Sequence, residues 1–328
     1  MSGPDLHPRD LSLEAARALV QRAVDKAEQL GLCGGIAVVG ASGALVTASR
    51  LDHGGPGGMA RARSKAWISA TQQIPSTEHL HRMTSIAPPV AAGFAQVSPE
   101  AVFPGAGGMP VVAGTVVVAG IAASGATVSP FFPADVRPEV VSADGQPANP
   151  EDLLIAYALQ IAYRGQHGDD QARWELRFGD LVVPPHESLG MAAAPPASRQ
   201  PQLAWARAVS DRAIAEAVRR GIRVSVAVVD RGGDPIHQDR MDDAVAAGVD
   251  VAAATASTAA RFGCASGELV HQYGSVAAAL GGLHPAPFLL APGGVPLEAG
   301  GRVVGGLGVG GADPAACHDL ARAVAADA

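Results

Sequence analysis

Lysine is nearly missing from this chain of 328 residues, occurring only at Lys26 and Lys65. Charged residues of all kinds make up 17%, and the formal net charge of −7 comes with no Lys/Arg block anywhere. Neutralising a nucleic-acid backbone takes a concentrated basic patch, so a nucleic-acid partner is disfavoured. No apolar run approaches the roughly 18 residues of a membrane span. The opening MSGPDLHPRD has neither the basic start nor the apolar stretch of a signal peptide. These absences predict a soluble cytoplasmic protein with no membrane attachment. Cys33, Cys264 and Cys317 are isolated, which leaves no disulfide framework and no CxxC metal spacing. HExxH and His-x3–5-His spacings are lacking, so no dedicated zinc site is expected. Without GxSxG a serine hydrolase of that type is excluded, and without a strand–GxGxxG–helix unit no nucleotide cofactor is expected.

What is present is apolar: hydrophobic residues reach 48%, enough for two ordinary cores, and the length suits two domains of roughly 100–200 residues each. The chain is in fact written twice. Residues 36–52 (IAVVGASGALVTASRLD) line up without gaps on residues 226–242 (VAVVDRGGDPIHQDRMD). Residues 107–126 (GGMPVVAGTVVVAGIAASGA) answer residues 293–312 (GGVPLEAGGRVVGGLGVGGA) at nearly the same offset. Such self-similarity marks a duplicated domain.

Each copy opens with a helix. Leu13, Ala16, Val20, Val24, Ala27 and Leu30 form a stripe of helical period, with Ser12 as cap, Glu14 in the first turn and Gly31 as stop. In the second copy Val209, Ala213 and Ala217 mark a helix over about 203–220, stopped at Gly221. A hairpin follows, turning at Ser42-Gly43 or at Arg231-Gly232-Gly233-Asp234. Helices are then predicted over about 59–73 and 244–262, shorter ones over about 77–86 and 266–280, and after a GG-x-P turn a closing hairpin. A last helix over about 315–326 ends the second copy. This order is α+β: an antiparallel sheet with helices packed on it. The boundaries read as 1–127, 128–202 and 203–328. The middle stretch has no evident counterpart. It reads as an ordered subdomain or arm, with a helix from Pro150-Glu151-Asp152 to about Arg164 and a strand or hairpin over Arg173 to Val183.

The combined pattern VVDxGG…RMD…GGxP…GxGVGG, together with ARSKAWISA (62–70), resembles the GlcG/HbpS family of haem-binding or haem-degrading domains. The resemblance covers both copies and implies profilin-like domains, homo-oligomeric assembly, a small-molecule ligand with haem as candidate, and an intrachain pseudo-twofold pair. There are departures: Gly40 stands where the second copy has Asp230, Lys65 aligns with Thr255, and Cys317-His318 takes the place of the family's acidic pair.

Several residues carry candidate chemistry. Arg50 with Asp52, and Arg240 with Asp242, end a strand in each copy; each arginine is either a fork for a ligand carboxylate or a partner that fixes the strand end. The amides of Gly107-Gly108 and Gly293-Gly294 can cradle an anion, or the glycines serve only a tight turn. Lys65 is either a buried base or anion anchor, or a snorkelling surface lysine. A haem iron needs an axial ligand and an apolar slot, for which His53 and His318 are candidates. Two functions follow: a small-ligand binder with haem as candidate, or a cofactor-independent lyase, isomerase or hydrolase on a carboxylated metabolite. In the second, Lys65 with Arg50 or Asp52 would do the acid–base work. A third reading is a purely structural or regulatory partner of another enzyme.

Overall fold

The computed structural model describes residues 11–29, 32–81, 98, 101–103, 105–113, 115–126, 140–141, 147–148, 150–159, 202–274 and 288–326. The chain divides into two compact units, Met1–Ser198 and Arg199–Ala328. The first contains α1 (Leu13–Gln29), β1 (Gly35–Gly40), β2 (Leu45–Arg50), α2 (Gly57–Gln72), the short α3 (Ser76–His81), β3 (Gly108–Ala113) and β4 (Val116–Ser124). A two-residue pairing of β5 (Val140–Val141) with β6 (Pro147–Ala148) and the helix α4 (Pro150–Leu159) follow. The second unit has α5 (Gln202–Arg220), β7 (Ser225–Asp230), β8 (Pro235–Arg240), α6 (Gly248–Phe262), a 3-10 turn (Ser266–Glu268) running into α7 (Leu269–Tyr273), β9 (Gly294–Ala299), β10 (Arg302–Gly310) and α8 (Pro314–Ala325).

The strand order is the same in both, β2-β1-β4-β3 and β8-β7-β10-β9, and all neighbours are antiparallel. Even the irregularity repeats: the register slips at Val38/Val39 in the first hairpin and at Val228/Val229 in the second. Alternation along the strands sorts the two faces. In the second unit Val226 and Val228 join the core under α5 and α8, while Ala227 and Val229 face Ala252, Ala256 and Ala260 of α6. In the first unit α1 packs on α4, and α2 lies on β1 and β4.

The predicted helix stripes are buried: Leu13, Ala16, Val20, Val24 and Ala27 in α1, and Val209, Ala213 and Ala217 in α5. Ser12 caps α1 by accepting from the Ala15 amide at 3.2 Å. Leu30 and Gly31 lie outside the described residues, as does the strand or hairpin expected over Arg173 to Val183. The helix expected from about 244 starts at Gly248, because residues 242–247 are spent on turns. The helix read as 150–164 is described to Leu159. Among the described residues no helix is long and apolar enough to cross a membrane.

One expectation is corrected. The middle stretch does have a counterpart, because α4 does in the first unit what α8 does in the second. Each starts at a proline, whose fixed φ suits the first helical position. Each also packs a matching pattern, Leu154, Ile155 and Ala158 against Leu320, Ala321 and Val324. The segment preceding Pro150 separates α4 from its strand and hides the match in the sequence.

The helix on the other face approaches the two sheets differently. In the second unit a Cβ on Gly308 would lie 2.0 Å from the Ala252 carbonyl oxygen, and one on Gly310 would lie 2.7 Å from that of Gly248. So α6 rides on bare backbone. The same strand positions in the first unit hold Ala122 and Ser124. At Gly120 α2 also meets bare backbone, a Cβ there lying 2.1 Å from the Ala66 carbonyl oxygen, so the room for side chains is confined to the level of Ala122 and Ser124.

Candidate functional site

That room holds a charged cluster. Lys65, in the middle of α2, is 3% exposed, so the snorkelling alternative is excluded. Its Nζ donates to Glu151 Oε2 at 2.5 Å, to Ser124 Oγ at 3.2 Å and to the Ala123 carbonyl at 3.4 Å. It also lies 5.8 Å from the centroid of the Phe103 ring. The strap carrying Phe103 is fastened to α2 through Ser64, whose hydroxyl accepts from the Phe103 amide and donates to the Ala101 carbonyl.

The first turn of α4 supplies the negative side. Glu151 Oε1 accepts from the amides of Gly125 at 2.6 Å and Ala126 at 3.2 Å, and Asp152 Oδ1 accepts from the Gly107 amide at 2.7 Å. Both carboxylates are buried. Charges taken out of water at this depth persist when paired and hydrogen-bonded. The Gly107 amide is therefore taken up by the chain's own Asp152 carboxylate. Gly107 needs its glycine, with φ +99 and a would-be Cβ 2.6 Å from the Ala123 carbonyl. Gly108 is bare for packing, since a Cβ there would meet Ser76 Oγ at 2.6 Å.

Asp52 is not the partner of Lys65. The partner is Glu151, which the sequence reading passed over as the start of an arm helix. The signal was present in Pro150-Glu151-Asp152 followed by apolar residues at helical spacing. Arg50 is buried and Asp52 partly so, both bonded elsewhere. Arg240 donates to the Ala244 carbonyl at 3.2 Å, holding the turn after its strand, and Asp242 is exposed. His53 is exposed, with φ +64 in a turn where the second unit has Asp243 at φ +63. This is a turn position that each copy needs, filled by whichever residue tolerates it.

In the second unit the same scaffold carries other residues. Burial of α4 and α8 puts Cys317 where Glu151 stands and His318 where Asp152 stands. The Ala312 amide acts on the Cys317 thiol from the place where, in the first unit, the Ala126 amide bonds Glu151. Burial pushes this thiol above its ordinary range; the Ala312 amide draws it partly back, and nearby Asp313 adds to the rise. Thr255 replaces Lys65 and turns its hydroxyl onto its own helix, at the Val251 carbonyl, 2.8 Å away. Gly293 and Gly294 keep the close approach, and a Cβ on Gly294 would lie 2.1 Å from the Thr255 carbonyl. His318 is partly buried, its Nδ1 shielded and without a hydrogen bond among the described residues. Among the described residues no group of three His, Cys, Asp or Glu side chains could hold a metal ion.

Fold and site together define a tandem α+β protein in which one copy holds a buried charged cluster and the other a neutral version of it. The chain belongs to the family described as "haem degrading protein HbpS-like", which matches residues 11–129 and 202–326. Solved structures similar to one repeat include a double mutant of HbpS from Streptomyces reticuli, at 34% identity over 42% of this chain and 98% of that one, with a TM-score of 0.35. Protein ORFY of Klebsiella pneumoniae is 26% identical over 41% of this chain and 96% of its own, with a TM-score of 0.36. The PduOC–haem complex is 26% identical over 37% and 90%, with a TM-score of 0.35. No curated protein matches the chain.

Proposed function

We propose that this protein binds a small carboxylate-bearing ligand at the charged cluster of its first unit, with haem as the candidate that family membership nominates. The observation that carries the reading is the concerted difference between the copies. Lys65 and Glu151 are buried and paired, and Asp152 is buried beside Glu151, in one unit, and their places hold Thr255, Cys317 and His318 in the other. The shared fold does not require the charges, since the second unit forms it without them. Charges kept in one copy of a duplicated domain at the cost of desolvation point to a ligand.

Haem fits this site by halves. Its propionates suit a cationic helix face, and the iron, when bound, would supply redox chemistry. Of the two axial candidates, His53 is exposed on its turn and His318 belongs to the second unit. The reading therefore rests on carboxylate recognition. Haemin titration of the full chain, followed at the Soret band, tests it. Saturation at a single haem per chain, abolished when the second unit's residues are installed in the first (K65T/E151C/D152H), is the expected result. A featureless rise that never saturates removes haem.

A second reading draws on the same pair. A buried lysine and carboxylate at 2.5 Å can hold and pass a proton, which suits a cofactor-independent lyase, isomerase or hydrolase acting on a carboxylated metabolite. Turnover of a carboxylate by wild type, lost in E151Q with binding retained, would select this reading.

A further inference from the structure

We propose that Arg61 is the ligand-carboxylate anchor of the first unit, at the edge of the Lys65 cluster. This deepens the ligand-binding reading and rests on it. Arg61 lies one helical turn before Lys65, so both cations share a face of α2. Both also reach the same hydroxyl: Arg61 Nε donates to Ser124 Oγ at 3.4 Å and Lys65 Nζ at 3.2 Å. The two differ in what neutralises them. Lys65 has Glu151, whereas Arg61 has no carboxylate among the described residues and bonds the Ser124 hydroxyl.

The guanidinium is partly buried and lies against two glycines. A Cβ on Gly57 would come within 2.8 Å of Nη1, and one on Gly125 within 3.4 Å of Nη2. A side chain at Gly57 would force the fork to move. The second unit has Val251 at the position of Arg61 and Gly310 at that of Ser124, so neither residue is needed to build the domain. A partly buried arginine with no counter-ion among the described residues, beside an ion pair that is already neutral, selects an anion. Its planar fork matches the two oxygens of a carboxylate.

The strap beside Lys65 adds a second element. Phe103 is 47% exposed, and its ring stands 5.8 Å from Lys65 Nζ. The ligand class is therefore a carboxylate carried on an apolar, flat body, which includes aryl-alkanoic acids and the propionate edge of a porphyrin.

The test uses the full chain with phenylpropionate, its neutral amide phenylpropionamide, and haemin. Wild type is expected to bind the acid and to prefer it to the amide about tenfold or more. R61Q and R61V should weaken the acid by about 10- to 100-fold, and leave the amide unchanged, the range for a hydrogen bond to a charged group. R61K should fall between, keeping charge without the fork. Unchanged far-UV circular dichroism and melting would show that each variant folds. Acid binding that is equal in R61Q and wild type overturns the proposal, as does a wild type that binds neither probe or fails to distinguish them. The two readings fail separately. Saturable haemin binding that is indifferent to R61Q rejects the anchor and leaves the ligand site. Acid binding lost in R61Q, with no haemin saturation, keeps the anchor and removes haem.

Discussion

The two units repeat one backbone down to a strand irregularity at matching valines, and in both a helix lies on a bare glycine, Gly120 or Gly306, yet they differ at the next two inward positions of that strand. In the second unit α6 lies on glycine backbone, with Gly308 and Gly310 leaving no room for side chains. In the first, Ala122 and Ser124 stand at those strand positions, and α2 carries Arg61 and Lys65 above them. What duplicated faithfully is the set of contacts that closes the fold. Ser76 donates to the Gly105 carbonyl, and Ser266 donates to the equivalent carbonyl of Ala291. What diverged is every polar position facing Lys65. A fold tolerates this because its stability comes from apolar burial and backbone pairing, both indifferent to the chemistry of a few sites.

The comparison breaks most visibly at Lys65. Removing it strands the buried Glu151 carboxylate, so K65A should cost about 3–5 kcal/mol. T255A removes a hydroxyl bonded only within its own helix and should cost less than about 1.5 kcal/mol. Urea titration of both variants measures this. Equal costs would mean that the charged cluster is solvated.

A transplant sharpens the point. K65T/E151C/D152H moves the second unit's neutral set into the first. Its cost should fall short of the summed single substitutions by about 2 kcal/mol, since residues in one network are coupled. Strict additivity would show that the three side chains act independently.

The duplicated hydroxyls should instead behave alike. S76A and S266A each leave a strap carbonyl without its donor, and each should cost about 1–3 kcal/mol. A large difference would mean that the straps do different jobs in the two units.

Much of this was legible from residues alone. The repeat, the α+β order, the helix stripes and the GG turns follow from periodicity and from glycine spacing, which a duplicated core preserves. Lys65 stood out by rarity. Its partner did not, because Glu151 follows a long excursion after β4 and no periodicity spans such a gap. Asp52 was drawn to Lys65 by its repeated place at a strand end, and that repetition reflects the shared turn. The same is true of His53, whose left-handed backbone is matched by Asp243. Arg61 carries no signal of its own, since sequence spacing cannot show that the space beside it is cleared by Gly57 and Gly125.

The smallest effect is one of pH. In the folded chain burial holds the Cys317 thiol above its ordinary range, while in the unfolded chain the thiol ionises near roughly 8.5. Below that pH both states keep the proton and the thiol contributes no pH dependence. Above it the unfolded state loses its proton first, so stability falls with rising pH until the folded thiol also ionises. The slope is at most about 1.4 kcal/mol per pH unit for one group. Cys33 and Cys264, also raised by burial, add in the same direction. Urea titrations between about pH 8 and 10 should therefore show a shallower decline in C317A than in wild type, the difference isolating this thiol from the other titrating groups. An identical decline would place Cys317 in water, and the second unit's version of the cradle would then be open to solvent. A shallower decline would make it a closed, neutral filling of the space that Glu151 occupies in the first unit with charge.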